Sequence, residues 1–220
     1  MKKTCTLFTL VIALSFSATA QIKKGASLLG IDLGFNGSNF KQEFTGNEIK
    51  SSSTGFNVAL LYGKAIKDNL FAGGSVSFSS SSLKQGNPQI TQTIKTYGAS
   101  VWTRKYFPVY GPLYAFVNGS LYATIGNNES PNNNPPKTNS FGLGIGVYPG
   151  ISMQLKKHFF LDASLNNLAN IYYNRTSGNS TDGLGNTVKQ TSSSYGFSTS
   201  LGNNSNPLQL GIRWIIPGKG

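Results

Sequence analysis

The sequence predicts an all-β protein, an eight-stranded antiparallel up-and-down transmembrane β-barrel. After residue 25, about eight stretches alternate between apolar and small or polar side chains, as in strands, where successive side chains point to opposite faces. Long polar loops and very short turns connect these stretches alternately, which is typical of a meander closed into a barrel. Charged residues make up only 12% of the chain, as expected where the outer surface contacts lipid.

The first twenty residues are predicted to be a secretory signal peptide. Lys2 and Lys3 precede an apolar run from Thr6 to Phe16, and a small-residue cleavage site ends at Ala20. This run is too short for a membrane-spanning helix. The only cysteine, Cys5, lies in this segment, so the mature chain is expected to have no disulfide and no thiolate metal site. Residues 21–220 are predicted to form one outer-membrane barrel domain.

The first four strands are predicted from alternation alone. In the first, Leu29 and Ile31 share one face, whereas Gly30 and Asp32 share the other. We expect the apolar face to point outward and the small or polar face to line the lumen. The predicted ranges are about Gly25–Gly37, Thr54–Lys64, Leu70–Ser80 and Thr93–Phe107.

The last four strands follow the same rule. The sixth is the most regular, because apolar residues alternate with glycines from Phe141 to Val147. Pro149, which lacks an N–H, is predicted to lie there at a bulge or an unpaired position. The inward face of the fifth strand is unusually aromatic. The predicted ranges are about Leu113–Gly126, Ser140–Gln154, Phe159 toward Tyr173, and Leu208–Ile216.

Long polar segments are predicted as loops at one end of the barrel. An even number of strands places both termini at the other end, with the short turns, which would face the periplasm. Backbone polar groups in lipid must all be paired, so the strands are expected to close into a barrel. The four predicted loops are about Ser38–Ser53, Ser81–Gln92, Asn127–Asn139 and Asn174–Ser194.

The basic character of the chain does not indicate a nucleic-acid partner. Without the signal peptide, 17 basic and 7 acidic residues leave a net charge of +10. Most of the basic residues lie near the termini or the short turns, where long side chains reach lipid headgroups. These residues are Lys23, Lys24, Lys64, Lys67, Arg104, Lys105, Lys156, Lys157 and Lys219.

Four charged residues are predicted to face the lumen: Asp32, Arg104, Asp162 and Arg213. Asp162 and Arg213 should lie at one level on neighbouring strands and form an ion pair, because lone buried charges are costly. An eight-stranded barrel is narrow enough for side chains to fill it. We therefore expect these charges to plug the lumen. A conducting path and a catalytic carboxylate are the alternatives.

The last strand resembles the assembly signal of outer-membrane barrels. Gln209, Gly211 and Trp214 match its polar, glycine and hydrophobic positions, but Ile216 stands where an aromatic residue is usual, and four further residues follow it. With the signal peptide and the eight strands, the chain resembles the small outer-membrane β-barrels of Gram-negative bacteria, of the OmpA/OmpX and "porin family" type.

The resemblance implies a monomer in the cell outer membrane. It also implies contacts with outer-membrane lipid and lipopolysaccharide, insertion by the barrel-assembly machinery, and no cofactor. The expected function is a non-enzymatic structural or surface-interaction role through the long loops, whose extracellular ligand the sequence does not specify.

Three other functions remain open at this point. One is a small porin or transport barrel. Another is a lipid-modifying enzyme, which needs a polar triad at the outer rim, whereas the sole histidine, His158, lies in a short turn and is expected to be solvated. The third is a soluble lipocalin-like barrel, in which the apolar faces would point inward around a ligand.

Overall fold

The computed structural model describes residues 21–44, 47–85, 90–129, 137–165, 168–181, 187–199 and 208–218. The predicted signal peptide lies outside the described residues, as does Lys219 of the predicted basic set. No helix within these described ranges is long and apolar enough to cross a bilayer.

Ten strand segments build a closed eight-stranded antiparallel barrel, which confirms the predicted fold. Segments β7 and β8 both pair with β6 and together form the seventh strand, while β9 pairs with β8 and β10 pairs with β7 to form the eighth. The segments are β1 Ser27–Phe44, β2 Asn47–Lys67, β3 Leu70–Gln85, β4 Ile90–Tyr110, β5 Leu113–Glu129, β6 Thr138–Lys156, β7 Phe159–Leu165, β8 Ala169–Thr181, β9 Thr187–Thr199 and β10 Leu208–Ile216.

The barrel closes where the first strand meets the last. Residues of β1 pair with β10 from Ser27 opposite Ile216 to Gly34 opposite Gln209. This ladder pairs the backbone groups of both edges at the end of the barrel that carries the short turns. We call it the short-turn end, and the opposite end the hairpin end.

Pro149 lies at a shift of register between β6 and the seventh strand. Val147 lies opposite Ala169 of β8, but Gly150 lies opposite Ser164 of β7. Three steps along β6 therefore face five along the seventh strand. Pro149 falls within this interval and has a partner only on the β5 side, where it faces Val117. The predicted irregularity is present because proline has no N–H to donate to a ladder.

The predicted loops are largely strand, so the sequence-based boundaries were wrong. β1 and β2 remain paired from the barrel wall to Phe44 opposite Asn47, and β8 and β9 to Thr181 opposite Thr187. β3 and β4 likewise continue to Gln85 opposite Ile90. The alternation of apolar and polar residues identifies only the part of a strand that has an apolar face. Beyond it, both faces carry Ser, Thr and Asn, and the backbone ladder continues without that signal.

The outer surface of the barrel is apolar and the inner surface is small or polar. Along β6, Leu143, Ile145 and Val147 are 42%, 55% and 39% exposed, while the glycines between them are buried. Outward apolar residues run from Phe141 to Met153, about 30 Å of height at about 3.3 Å per residue and a tilt of about 40°. That height matches a bilayer core. An apolar outer surface and a small or polar inner surface are the reverse of a lipocalin-like barrel. That alternative is therefore wrong.

Aromatic side chains border this apolar surface at both ends. Toward the hairpin end, the ring of Phe78 lies 5.9 Å from that of Phe56 and 5.1 Å from that of Tyr97. At the short-turn end, Phe159 and Trp214 stack at 5.9 Å with nearly parallel rings. Two aromatic borders are typical of barrels in outer membranes, where such rings lie at the level of the headgroups.

The N-terminal segment 21–26 lies against the short-turn end. Asn69, in the turn between β2 and β3, has a φ of 59°, a conformation that asparagine tolerates better than most residues. Its Oδ1 accepts a hydrogen bond from the N–H of Ile22 at 2.8 Å, and its own N–H donates to the Ile22 carbonyl at 2.9 Å. Ile22 is buried. The first residues after the predicted cleavage site therefore cover this end of the lumen.

Candidate functional site in the barrel lumen

Five aromatic rings fill the lumen near the short-turn end. Their side chains come from β3, β4, β5 and β7, and none is more than 3% exposed. Tyr106 is central, with its ring centroid 5.8 to 6.1 Å from those of three of the others. We call this set the aromatic plug: Phe71, Tyr106, Tyr114, Phe116 and Phe160.

The alternation of β5 explains part of the plug. Tyr114 and Phe116 are two residues apart and so share the inward face. Gly150 of β6 lies directly opposite Phe116, and a Cβ there would come within 2.7 Å of the Phe116 ring. The absence of a side chain at Gly150 therefore leaves the room that the ring occupies.

The four predicted lumen charges form one buried cluster beside the plug, which we call the charge network: Asp32, Arg104, Asp162 and Arg213. Arg104 Nη1 donates to Asp162 Oδ2 at 2.6 Å, and Arg213 Nε lies 3.1 Å from the same oxygen. Arg213 Nη2 also donates to Asp32 Oδ1. Two cations and two anions leave the network without net charge.

The guanidinium of Arg213 is held against the backbone of β1 and β10. Its Nη1 donates to the carbonyls of Ile31 at 3.0 Å and Ile212 at 3.1 Å. Two glycines leave space for it, since a Cβ at Gly30 would lie 2.7 Å from Arg213 Cδ, and one at Gly211 would lie 2.5 Å from Nη1. A large cation therefore fits into a narrow lumen only where the adjacent wall lacks side chains.

Several neutral side chains complete the network, and the sequence did not assign them this role. Ser152 Oγ donates to Asp162 Oδ1 at 2.6 Å. Arg104 Nε donates to Asn118 Oδ1 at 3.2 Å, and its Nη1 lies 3.3 Å from Tyr106 Oη. The Arg104 guanidinium also lies 4.3 Å from the centre of the Phe116 ring. The alternation of side chains along each strand indicates that these residues face inward, but it does not indicate which charged residue they contact.

Three sequence-based placements need correction. Asp162 lies opposite Gly211, so Arg213 is its diagonal neighbour rather than level with it. Arg104, counted among the rim cations, is 1% exposed and lies inside the lumen, because its position alternates with outward residues of β4.

His158 is half-buried: its Nδ1 lies 3.1 Å from the Ile215 carbonyl, and the Ile215 N–H donates to the His158 carbonyl at 2.8 Å. The turn is thus held to β10 instead of being free in solvent.

The four residues of the candidate assembly signal lie on both faces of β10. Trp214 and Ile216 point outward, whereas Gly211 is buried beside the charge network. Gln209 lines the lumen. The role of these residues in assembly stays a prediction.

A cavity of about 380 Å³ lies on the hairpin side of the charge network. Serine, threonine and asparagine side chains line it together with apolar and aromatic ones, among them Trp102, Tyr122 and Tyr148. Nowhere in the described chain do three or more His, Cys, Asp or Glu residues form a group able to hold a metal ion.

Comparison with known proteins gives one family and several barrels of similar architecture. A family model described as "Outer membrane protein beta-barrel domain" matches residues 6–206. The outer membrane protein OprG from Pseudomonas aeruginosa matches 89% of this chain and 98% of its own, with 12% identity and a TM-score of 0.54. At this identity the likeness concerns the fold alone.

Two further solved structures match with lower TM-scores. Neisserial surface protein A (NspA) matches 86% of this chain and 96% of its own, with 17% identity and a TM-score of 0.42. A major outer membrane protein from Thermus thermophilus matches 86% and 99%, with 13% identity and a TM-score of 0.41. No curated protein sequence matches the chain.

Proposed function

Since this chain belongs to the outer membrane protein beta-barrel family and lies in the cell outer membrane, we propose that it is a closed, non-enzymatic barrel that presents polar β-hairpins at the cell surface. The observation that carries the proposal is the filled lumen. The aromatic plug and the charge network occupy its cross-section near the short-turn end, which argues against a continuous water path.

The length of the strands supports a surface role. β2 has 21 residues, which corresponds to about 70 Å along the strand, or about 50 Å of height at a tilt of about 40°. A bilayer core needs only about 30 Å. The β1–β2 and β8–β9 hairpins therefore extend well beyond the apolar surface, and their hydroxyl and amide side chains suit contacts with lipopolysaccharide sugars or extracellular partners.

The orientation is testable by labelling intact cells with a membrane-impermeant maleimide. Ser193→Cys, on the exposed part of β9, is expected to react in intact cells, whereas Lys157→Cys, in the turn before β7, is expected to react only after lysis. The unsubstituted protein is the control. It should stay unlabelled, because its sole cysteine lies in the predicted signal peptide. Labelling of Lys157→Cys but not Ser193→Cys in intact cells would reverse the orientation and refute the proposal.

A small pore is the second candidate, favoured by the cavity in the other half of the lumen. If the plug closes the barrel, the unsubstituted protein gives no steady single-channel steps in a planar bilayer. Replacing both Tyr106 and Phe116 by alanine removes two plug rings and is expected to introduce such steps. Val117→Ala, on the outward face of β5, serves as the control and should behave as the unsubstituted protein.

Steps from the unsubstituted protein would contradict the closed barrel and favour the pore. Heat-modifiable migration on a gel checks that each variant has folded before it is recorded. A folded double variant that stays silent would mean that the charge network alone is enough to close the lumen.

A further inference from the structure

Five lysines lie around the turn between β2 and β3 at the short-turn end. Lys105 Nζ donates to the Asp68 carbonyl at 3.1 Å. The N–H of Lys24 donates to Asp68 Oδ1 at 2.8 Å, and Lys23 Nζ lies 3.6 Å from Asp68 Oδ2. The other two lysines are on β2, just before the turn. We call this set the lysine patch: Lys23, Lys24, Lys64, Lys67 and Lys105.

The charges of the lysine patch do not balance. Asp68 brings the only carboxylate in this part of the described chain, so five ammonium groups face one negative charge, an excess of four. Lys64 and Lys67 have no ion-pair partner among the described residues. The other carboxylates of the described chain lie in the charge network or toward the hairpin ends of β1, β2 and β5. Because like charges repel at short range, the patch favours an anionic partner.

The lysine patch borders the apolar outer surface of the barrel. Lys64 follows Tyr62 on the outward face of β2, and both side chains are exposed. Across β1, Tyr62 lies in the same row of paired residues as Trp214, which belongs to the aromatic border of the short-turn end. Lysines at this border place their ammonium groups at the level of the lipid headgroups.

The outward part of the patch leaves room for a phosphate group. Lys67 and Lys105 pair with the same residue of β3 from its two sides, so their Cα atoms are about 10 Å apart, or two strand spacings. In the next row, Lys64 lies opposite Ala72, and Ala72 lies opposite Thr103. The short side chain of Ala72 allows close approach, and the Thr103 hydroxyl is exposed. Ammonium and hydroxyl donors around a short side chain suit the oxygens of a phosphodiester.

Net charge distinguishes the classes of phospholipid that reach this border. A zwitterionic phospholipid brings a cation together with its phosphate and leaves the excess charge of the patch unchanged. A phospholipid with an uncharged polyol headgroup, such as phosphatidylglycerol, brings the phosphate alone. Each lysine near an anionic lipid surface adds to the attraction, so the patch favours the anionic class.

We propose that the lysine patch binds an anionic phospholipid of the phosphatidylglycerol class in the periplasmic leaflet. The phosphate lies between Lys64, Lys67 and Lys105, and the acyl chains lie along the outer surface of β2 to β4. Lys23 and Lys24 add to the attraction from the N-terminal segment. This lipid site is separate from the surface role of the hairpins. Lipid preference in vesicles of uniform composition does not depend on the orientation in the cell, so either proposal can be wrong without the other.

Two tyrosines offer matched positions for a fluorescent reporter. Tyr62 and Tyr97 both point outward and are 51% and 50% exposed. Each has a lysine two residues away on the same face, but only one of these lysines has a counterion. Lys95, beside Tyr97, lies 3.5 Å from Glu129 Oε2, whereas Lys64, beside Tyr62, has no ion-pair partner among the described residues. The two positions therefore compare a paired lysine with an unpaired one.

Tyr62→Trp and Tyr97→Trp, each combined with Trp214→Phe, place one indole on the outer surface. Trp102 is buried in the lumen and gives both variants the same background. Each variant is folded into phosphatidylcholine vesicles that contain a varied fraction of phosphatidylglycerol with brominated acyl chains, which quench an adjacent indole. Quenching of Tyr62→Trp is expected to correspond to a relative affinity for phosphatidylglycerol of at least about threefold. Quenching of Tyr97→Trp is expected to follow random lipid mixing.

Removal of charge tests whether the lysines cause this preference. Lys64→Gln with Lys67→Gln, in the Tyr62→Trp protein, is expected to return quenching to random mixing, whereas Lys95→Gln leaves the preference unchanged. Heat-modifiable migration on a gel checks folding. If the double variant does not fold, Lys64→Gln alone is expected to lower the preference about twofold.

Random mixing at Tyr62→Trp, equal preference at the two reporters, or an unchanged preference in the folded double variant would overturn the proposal. Inorganic phosphate tests for a free anion in place of a lipid. If phosphate abolishes the preference and NaCl of the same ionic strength does not, the patch binds free phosphate, and the lipid proposal is wrong.

Discussion

Asp162→Asn is expected to lower the free energy of unfolding by about 3–5 kcal/mol, the largest effect of a single substitution that the network implies. Asp162 Oδ2 lies 2.6 Å from Arg104 Nη1 and 3.1 Å from Arg213 Nε. The substitution keeps the shape of the side chain but removes the charge that both guanidinium groups share. Two buried cations then face one remaining carboxylate. Urea unfolding of the barrel in lipid vesicles, followed by tryptophan fluorescence, measures the difference.

Two companion variants separate charge from packing. Ser152→Ala removes only the hydrogen bond to Asp162 Oδ1 and is expected to cost about 1 kcal/mol. Replacing both Arg104 and Asp162 by leucine leaves the neutral pair of Asp32 and Arg213, so the double variant is expected to be more stable than Asp162→Asn. A cost below about 1 kcal/mol for Asp162→Asn, or a double variant less stable than it, would contradict the shared-charge interpretation.

The face on which each residue lies was predictable from the sequence because a strand repeats every two residues. Leu143 and Gly144 fall on opposite faces for this local reason, and so do Val101 and Trp102. The ends of the strands were not predictable in the same way. In the β8–β9 hairpin, residues such as Thr176 and Ser192 are paired and polar. A strand that is polar on both faces shows no apolar alternation, so the sequence pattern does not distinguish it from a polar loop.

The contacts within the lumen depend on geometry that no local pattern contains. Arg104 lies on β4 and Asp162 on β7, strands that are not neighbours, and their contact crosses the lumen. Which inward residues meet there is set by the tilt and stagger of the whole barrel. The local sequence pattern therefore predicts that these charged residues face inward. Which residues they contact, including Ser152 and Asn118, depends on the closed fold.

The second large effect is expected from a single methyl group on the inner wall. Gly63 and Gly73 lie opposite each other under the indole of Trp102. A Cβ at Gly73 would come within 2.6 Å of Gly63 Cα and 2.7 Å of Trp102 Cζ2, and it would also overlap the Tyr62 carbonyl. Because part of this obstruction is backbone, a rotation of the indole cannot relieve it. Gly73→Ala is therefore expected to lower the free energy of unfolding by about 1–3 kcal/mol.

The adjacent residue supplies the control for that prediction. Gly74 points to the opposite face, and the nearest atom to a Cβ there is the Ser100 carbonyl oxygen at 3.5 Å, an ordinary contact. Gly74→Ala is expected to change the free energy of unfolding by no more than about 0.5 kcal/mol. The two variants have the same composition and differ only in the face that receives the methyl group. Equal stability of the two in urea unfolding would mean that the inner wall at Gly73 is not packed as closely as the structure shows.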